Sequence, residues 1–382
     1  MRIAYVCTDP GIPVWGSKGA SIHVQEMLRA FLARGAHVTL LSPRLEGVPP
    51  ADLARVATLA LPPAAEAGAE ARARHHLALN AEVGAALARL APPDLVYERH
   101  ALFAHGAMEA ARRLGIPSVL EVNAPLIEEQ SRHRELALPQ QAEASARRAF
   151  ASAATVIAVS RAVARHAMDL GAARVEVIAN AVDPARFSVR AAADGPFTIG
   201  FLGTLKPWHD VATLIDALAA LRADSLPDAR LLIVGDGPER PALESRLAAL
   251  GLGDAAAFTG ALPPAEVPAA LARMHAAVAP YAGAGPFYFS PLKLYEYMAA
   301  GLPVVASRVG DLAEVVSEGR TGLLVPPDDP AALAAALARL GHDPALRQRL
   351  GHAARTEVLA HHTWQGVAGR VLALAGIAEK AA

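Results

Sequence analysis

The sequence predicts an α/β fold made of two doubly wound parallel-sheet domains, and three observations carry that expectation. The chain has 382 residues, too many for one ordinary hydrophobic core. It opens on an apolar run, Arg2–Cys7, followed by a glycine-punctuated loop, an amphipathic stretch and a second apolar run, His37–Leu41, which together read as a βαβ unit. A second series of the same kind restarts at Phe197-Thr-Ile-Gly-Phe-Leu202, after a segment rich in Ala, Pro and small polar residues, Asp183–Pro196.

In the first half, Arg2–Cys7 alternates little, as a strand buried on both faces does. No Gly-x-Gly-x-x-Gly follows it, so the dinucleotide fingerprint is absent. Ser21 is expected to cap a helix running to about Arg34, with Val24, Met27, Leu28 and Phe31 on one face and Gly35 ending it. Residues 46–74 are rich in Ala, Pro and Gly, then Arg, and a helix is expected at about Ala67–Leu90. His75-His76 reads as a solvated pair. Asp94–Tyr97 is expected to be a short strand with Glu98-Arg99-His100 at its carboxyl end. Arg99 is there a candidate phosphate or acceptor contact, and His100 a candidate to orient or protonate a substrate. Gly115–Pro125 reads as a helix exit, a strand and a loop, with Glu121 partly buried and Asn123 in the loop. One charged helix follows, with Glu128, Glu129, Arg132 and Arg134 and later Arg147 and Arg148; it is a solvated face or the lining of an acceptor site. Thr155–Val159 and Val175–Ile178 are expected to be strands.

In the second half, Arg230–Val234, Ala256–Thr259, Ala276–Pro280 and Val304–Ser307 read as strands. Gly235-Asp-Gly-Pro-Glu-Arg240 misses the dinucleotide motif because Arg240 stands at the third glycine. The chemistry centres on Phe287–Gly301. Ser290 and Pro291 read as N-cap and first helical residue, Gly301 and Pro303 as the stop, and Leu292, Tyr295, Met298 and Ala299 as the buried face. A helix N-terminus offers unpaired N–H groups and a positive dipole end, suited to a phosphate. Lys293 in the first turn is unfavourable for the helix alone and makes sense beside an anion. Glu296, one turn later, can accept hydrogen bonds from sugar hydroxyls. The plainer alternative is a capped helix with a solvated Lys and Glu. Lysine is scarce: of the 36 basic residues only Lys18, Lys206, Lys293 and Lys380 are Lys, and three of them fall at loop-to-helix junctions.

The Phe287–Gly301 stretch resembles the nucleotide-sugar signature of the retaining glycosyltransferases of family 4, which have the GT-B fold. Glu296 matches the second Glu of that signature and Tyr297-Met-Ala-Ala-Gly301 its ending. Tyr288 stands at the first Glu, and Ser290-Pro-Leu-Lys293 is similar to a variant that a subset carries. Other loops match in order along nearly the whole chain: Val122-Asn-Ala124, where many relatives have Val-His-Gly; Asn180-Ala-Val-Asp183, similar to a hinge; Gly235-Asp-Gly-Pro238; Thr321–Pro326; and His362-Thr-Trp364, similar to the start of a final helix that returns to the first domain. The resemblance implies two Rossmann-like domains facing across a cleft, residues 1–183 with helix 363–382 on the acceptor side and 184–362 on the nucleotide-sugar side. In the family the loop after Leu202 gives an Arg and a Lys to the diphosphate; here Thr204 stands at the Arg and His209 near the Lys, and Lys206 between them, with Lys293, is expected to supply the charge at the departing diphosphate. The resemblance also implies a catalytic role for Asn123 at the transferred sugar, although Asn123 cannot carry a proton. Donor binding is implied for Glu296 at the ribose, Leu262 at the base, Tyr288 near the sugar, and Gly19, Gly203, His209, Ser290, Leu292, Leu294 and Gly235. Arg99 and His100 fall on the acceptor side. Trp364 is implied to pack between domains.

Bulk properties narrow the classes. A formal charge of −1 and a pI near 6.9 argue against a nucleic-acid binder. One cysteine, Cys7, excludes a disulfide framework. No apolar run approaches the roughly 20 residues of a membrane span, and Met-Arg-Ile-Ala-Tyr-Val is not a signal peptide, so a cytoplasmic enzyme is expected, with peripheral contact at the inner membrane face left open. No Asp-x-Asp occurs, and no metal or resident cofactor is expected; the nucleotide sugar is a co-substrate, and a glycan, a lipid-linked glycan or a small molecule the acceptor. No carboxylate pair suits double displacement, consistent with the front-face attack described for the family. Two other readings stay open: an epimerase or hydrolase acting on nucleotide sugars, and a non-catalytic nucleotide-sugar binder.

Overall fold

The computed structural model describes residues 1–64, 68–188, 194–284, 287, 288 and 290–377. Ala67, residues 189–193, Gly285, Pro286, Phe289 and Lys380, which figure in the sequence reading, lie outside the described residues. The chain divides into two compact units, Met1–Ala179 with Trp364–Ala382, and Asn180–Thr363.

The first unit runs β1 (Arg2–Cys7), α1 (Gly19–Ala33), β2 (His37–Ser42), β3 (Ala57–Ala60), α2 (Ala69–Arg89), β4 (Leu95–Arg99), α3 (Gly106–Leu114), β5 (Ser118–Val122), α4 (Leu126–His133), α5 (Pro139–Ser152), β6 (Thr155–Ala158), α6 (Arg161–Asp169) and β7 (Val175–Val177). Its strands form one parallel sheet in the order β3-β2-β1-β4-β5-β6-β7. β1 is central, with Tyr5 opposite both Leu40 and Tyr97. A strand with neighbours on both edges and helices on both faces must be apolar throughout, and Ile3 to Cys7 are all buried. Tyr5, Phe31 and Tyr97 meet in one aromatic cluster, with ring centroids 5.0 Å (Tyr5–Tyr97) and 5.4 Å (Phe31–Tyr97) apart.

Four expectations need correction here. α1 begins at Gly19, with Lys18 in the cap position and no side-chain cap; Ser21 lies inside the helix, wholly buried. β3 was not foreseen, because it is an edge strand whose residues are mostly exposed and so lacks an apolar signature. β4 extends to Arg99, so Glu98 and Arg99 belong to the strand and point to opposite faces. The single charged helix is two helices: Leu138 has φ +54° and Pro139 starts α5, which interrupts the helical ladder.

The second unit runs β8 (Thr198–Leu202), α7 (Val211–Asp224), β9 (Arg230–Val234), α8 (Arg240–Ala249), β10 (Ala256–Phe258), α9 (Val267–Leu271), β11 (Ala276–Ala279), α10 (Leu292–Ala299), β12 (Val304–Ser307), α11 (Leu312–Val315), β13 (Gly322–Val325), α12 (Pro330–His342) and α13 (Pro344–His361). Its parallel sheet has the order β10-β9-β8-β11-β12-β13. The core on one face joins Ile199, Phe201, Leu218, Ile233, Val278 and Leu337; each such side chain contributes roughly 1.5–3 kcal/mol on burial. Asp210, Asp329 and Asp343 cap α7, α12 and α13 by accepting from the N–H groups of Thr213, Ala332 and Leu346. α10 has no such side-chain cap.

The last helix, α14 (Trp364–Leu374), belongs to the first unit. Trp364 is buried there against the imidazole of His23, with ring centroids 4.7 Å apart. Arg34 donates to the carbonyl of Gln365 (2.6 Å) and Arg370 to that of Val177 (3.1 Å).

Candidate functional site

In a doubly wound sheet, the connections on either side of the first strand diverge and open a crevice at the carboxyl ends, where ligands bind. In the second unit this switch point lies between β8 and β11. Their pairing covers only Ala276–Ile199 and Ala277–Gly200. Beyond it, the Tyr297 hydroxyl from α10 fills the split, accepting from the Leu202 N–H (2.7 Å) and donating to the Val278 carbonyl (3.4 Å). Lys293 lies one turn before Tyr297 on α10 and so shares its side of the helix. Its Nζ sits 4.2 Å from the Phe201 ring centroid and 5.4 Å from that of Tyr281. A Cβ added at Gly203 would come within 2.8 Å of it.

Lys293 is only 7% exposed, and among the described residues its Nζ has no hydrogen-bond partner. Burial brings its pKa down to about 7, with Glu296 opposing that shift. The two aromatic faces attract a cation but offer no acceptor. Gly203 has φ +141°, a region closed to other residues without strain, and its missing side chain leaves the space in front of the amine.

The expected capping of α10 is corrected. Pro291, with ψ 116°, occupies the cap position, and the helix begins at Leu292. Ser290 stands outside the cap position, and its Oγ is turned to accept from the N–H of Asn180 (2.9 Å). The expected amphipathic face is also corrected. Lys293, Leu294, Tyr295, Tyr297, Met298 and Ala299 are all buried, and Leu292 is half-buried. A helix wedged between two strand ends is enclosed on most sides, which periodicity alone does not reveal.

His209 lies beside Lys293, its ring 5.3 Å from that of Tyr281 and 5.9 Å from that of Phe201. Its Nδ1 is 2.5 Å from the Thr204 carbonyl, so Nδ1 carries the proton and Nε2 is an acceptor. Burial, and then the charge of Lys293, push its pKa down to about 3, so it is a neutral ring. Lys206 lies further out, its Nζ 5.8 Å over Trp208. Gly235 (φ +144°) packs so closely on Gly203 that an added Cβ would come 2.0 Å from the Gly203 carbonyl oxygen, and it bridges to Gly260, two residues before the half-buried Leu262. Glu296 is half-buried, with Arg186 Nη1 at 3.8 Å. Tyr288 is buried. The structure thus gathers Lys293, Gly203, His209 and Gly235, with Lys206 and Glu296 on their flanks. Gly19, Arg99, His100 and Asn123 belong to the first unit.

In the first unit the switch point lies between β1 and β4. Arg99 is buried there, with Nη1 3.7 Å from Glu121 Oε2, and Glu121 Oε1 is 2.6 Å from His23 Nε2. Glu121 is fully buried rather than partly so. Burial pushes its pKa up, but the charge and hydrogen bond of His23 and the charge of Arg99 hold it below the usual value. Glu98, on the other face, has no such partner, and burial pushes its pKa up to about 8. Burial raises the Cys7 thiol to about 12. His100 is buried against Phe150, and burial lowers its pKa to about 3, so it is neutral and does not protonate a substrate near pH 7. Asn123 is half-buried with an unpartnered Nδ2, and Gly19 is exposed at the start of α1.

Sequence reasoning passed over His23, Phe201 and Tyr297. His23 was findable: it lies one turn before Met27 and is the polar member of an apolar face. A cavity of about 550 Å³ opens elsewhere, at the amino ends of β1 and β2 beside Arg2, His37 and Arg55, the edge opposite to where such sheets bind ligands. Among the described residues no group of three or more His, Cys, Asp or Glu is placed to hold a metal ion, and no helix is long and apolar enough to cross a membrane.

Comparisons with known proteins bear on both units. Residues 17–186 match the family model described as Glycosyltransferase Family 4, and residues 196–343 that described as Glycosyl transferases group 1. The chain is 32% identical over 283 residues to a glycogen synthase of Mycobacterium tuberculosis, covering 72% of this chain and 67% of that protein. It is 32% identical over 291 residues to a GDP-mannose-dependent alpha-mannosyltransferase of the same organism, covering 73% and 72%. Among solved structures it is similar to a sucrose-phosphate synthase from Thermosynechococcus elongatus (TM-score 0.73, 21% identity, 98% of both chains). It is also similar to HepE of Anabaena in complex with UDP (TM-score 0.71, 19% identity, 98% and 99%).

Proposed function

The chain belongs to the glycosyltransferases of group 1 and family 4, and from that premise we propose that it moves a sugar from a nucleoside-diphosphate sugar to an acceptor with retention of configuration. The observation that carries the donor assignment is the buried, partnerless amine of Lys293 at the switch point of the second sheet, beside the uncapped start of α10. A diphosphate placed there meets the amine, which then takes up a proton, and the N–H groups of Leu292 and Lys293 at the helix start. Ser290 and Leu292 act through their backbone, whereas the Leu294 N–H is already given to the Pro291 carbonyl (3.1 Å). Gly203 lets phosphate oxygens approach the chain, and Gly235 lets the Gly203 loop pack close enough to stand there. Lys206 adds a second cation at the rim. Glu296 accepts from the ribose hydroxyls, the backbone at Leu262 holds the base, and His209 Nε2 and Tyr288 face the sugar.

Breaking the glycosidic bond leaves negative charge on the diphosphate, and fixed donors aimed at that charge lower the barrier. Two lysines and a helix terminus supply them without a metal. The departing phosphate oxygen takes the proton of the incoming hydroxyl on the same face of the sugar, which gives retention without a covalent enzyme intermediate. A thermal-shift screen of UDP-, GDP- and ADP-sugars, with and without EDTA, tests the reading. One nucleotide class raises Tm by ligand linkage and does so equally in EDTA. No shift with any of them overturns the donor assignment, and a shift lost in EDTA overturns metal independence.

A further inference from the structure

The chain passes between its units at Ala179–Asn180 and at Thr363–Trp364. On the second-unit side the two passages are joined: Val182 and Thr363 form a parallel bridge, and the Val182 N–H donates to the His362 carbonyl (3.0 Å). Both reach Ser290, two residues before α10. Asn180 grips Ser290 twice, its N–H donating to Oγ (2.9 Å) and its Nδ2 to the carbonyl oxygen (2.7 Å), across 110 positions of sequence. The His362 ring lies 4.9 Å from that of Tyr295, whose hydroxyl is 3.2 Å from Ser290 Oγ. Asn180 Oδ1 is left buried without a partner, so the amide is held in one sense, donating toward Ser290.

Ser290 followed by Pro291 is a strong capping sequence, and an unrestrained serine there would turn its hydroxyl onto the first-turn N–H groups. Those are the groups that the proposed diphosphate needs. We infer that Asn180 is a positioning residue: its side chain, by fixing the Ser290 carbonyl, orients Ser290 so that the hydroxyl stays on the Asn180 backbone N–H and off the start of α10, which keeps the anion site open. The inference rests on the donor reading above. It also means that the paired passages between the units touch the same serine, through Asn180 on one side and through His362 and Tyr295 on the other.

The test is calorimetric titration of the full chain with UDP, GDP and ADP. Asn180→Ala removes the side-chain bond to the Ser290 carbonyl and leaves the backbone one; freed to turn, Ser290 competes for the helix start, and the nucleoside diphosphate that the unaltered protein binds is weakened by about tenfold, the worth of one such hydrogen bond. The double variant Asn180→Ala/Ser290→Ala recovers most of that loss, because no hydroxyl remains to occupy the helix start. Asn180→Asp, similar in size but setting an oxygen against the Ser290 carbonyl, weakens binding more than Asn180→Ala does and serves if the alanine variant misfolds. A merely structural asparagine gives a double variant no better than the single one, and that result overturns the inference, as does unchanged affinity in Asn180→Ala. Absence of binding by the unaltered protein instead removes the donor reading itself, a failure visible before any variant is made.

Discussion

The two sheets split at corresponding places, and each presents a basic side chain at its split, Arg99 in the first unit and Lys293 in the second. Arg99 has its counter-ion built in, with Glu121 at 3.7 Å and His23 on the other carboxylate oxygen. Lys293 has two aromatic rings, a glycine and a neutral histidine around it, and no acceptor among the described residues. A buried charge is costly unless paired. The first unit meets that requirement internally. In the second, burial lowers the amine's pKa to about 7, and an arriving anion would supply the missing partner and hold the proton on.

The comparison can be broken from either side. Glu121→Gln should strand the Arg99 charge in the interior and destabilise the protein by about 3–5 kcal/mol, seen in urea unfolding; a loss under 1 kcal/mol would show that the pair is not the first unit's solution. Next in size, Lys293→Met should leave stability unchanged or raised, since it removes an unpaired buried amine, while lowering transfer by about 100-fold. Equal turnover would place the anion elsewhere.

Acidity separates the two regions further. Between about 7 and its ordinary 10.5, Lys293 binds fewer protons in the fold than in the unfolded chain, so its contribution to stability rises with pH across that window. Nucleoside diphosphate affinity runs the other way, falling as pH climbs through 7, and this part of the dependence disappears in Lys293→Met. Glu121, held below 4.5, contributes stability that is present above that value and lost as pH falls through its lower folded value. The smallest effect is expected at Gly203→Ala, where backbone strain at φ +141° and crowding of the amine should cost about 1–3 kcal/mol and weaken diphosphate binding. A variant as stable and as tight as the parent would remove the glycine from the site.

Local signals made much of this legible. The apolar strands, the stop at Gly301–Pro303 and the rarity of lysine all lie within a few residues of sequence, and they led to the Phe287–Gly301 stretch. The errors share one cause. Ser290 reads as a cap until the Asn180 N–H reaches its hydroxyl, Glu121 reads as a partly buried carboxylate until His23 arrives from 98 residues away, and His100 reads as a loop histidine or a substrate contact until Phe150 covers it.

The sequence by itself determined which elements form and in what order, because strand and helix periodicity, proline and glycine act over one or two turns of chain. It also determined that a lysine stands in the first turn of α10. Only the tertiary structure decided that this lysine is buried, that burial lowers its pKa, that among the described residues it has no acceptor, and that the helix start beside it has no side-chain cap. Protonation and hydrogen-bond satisfaction depend on which distant groups come within about 3–4 Å of an atom, and packing alone sets that distance.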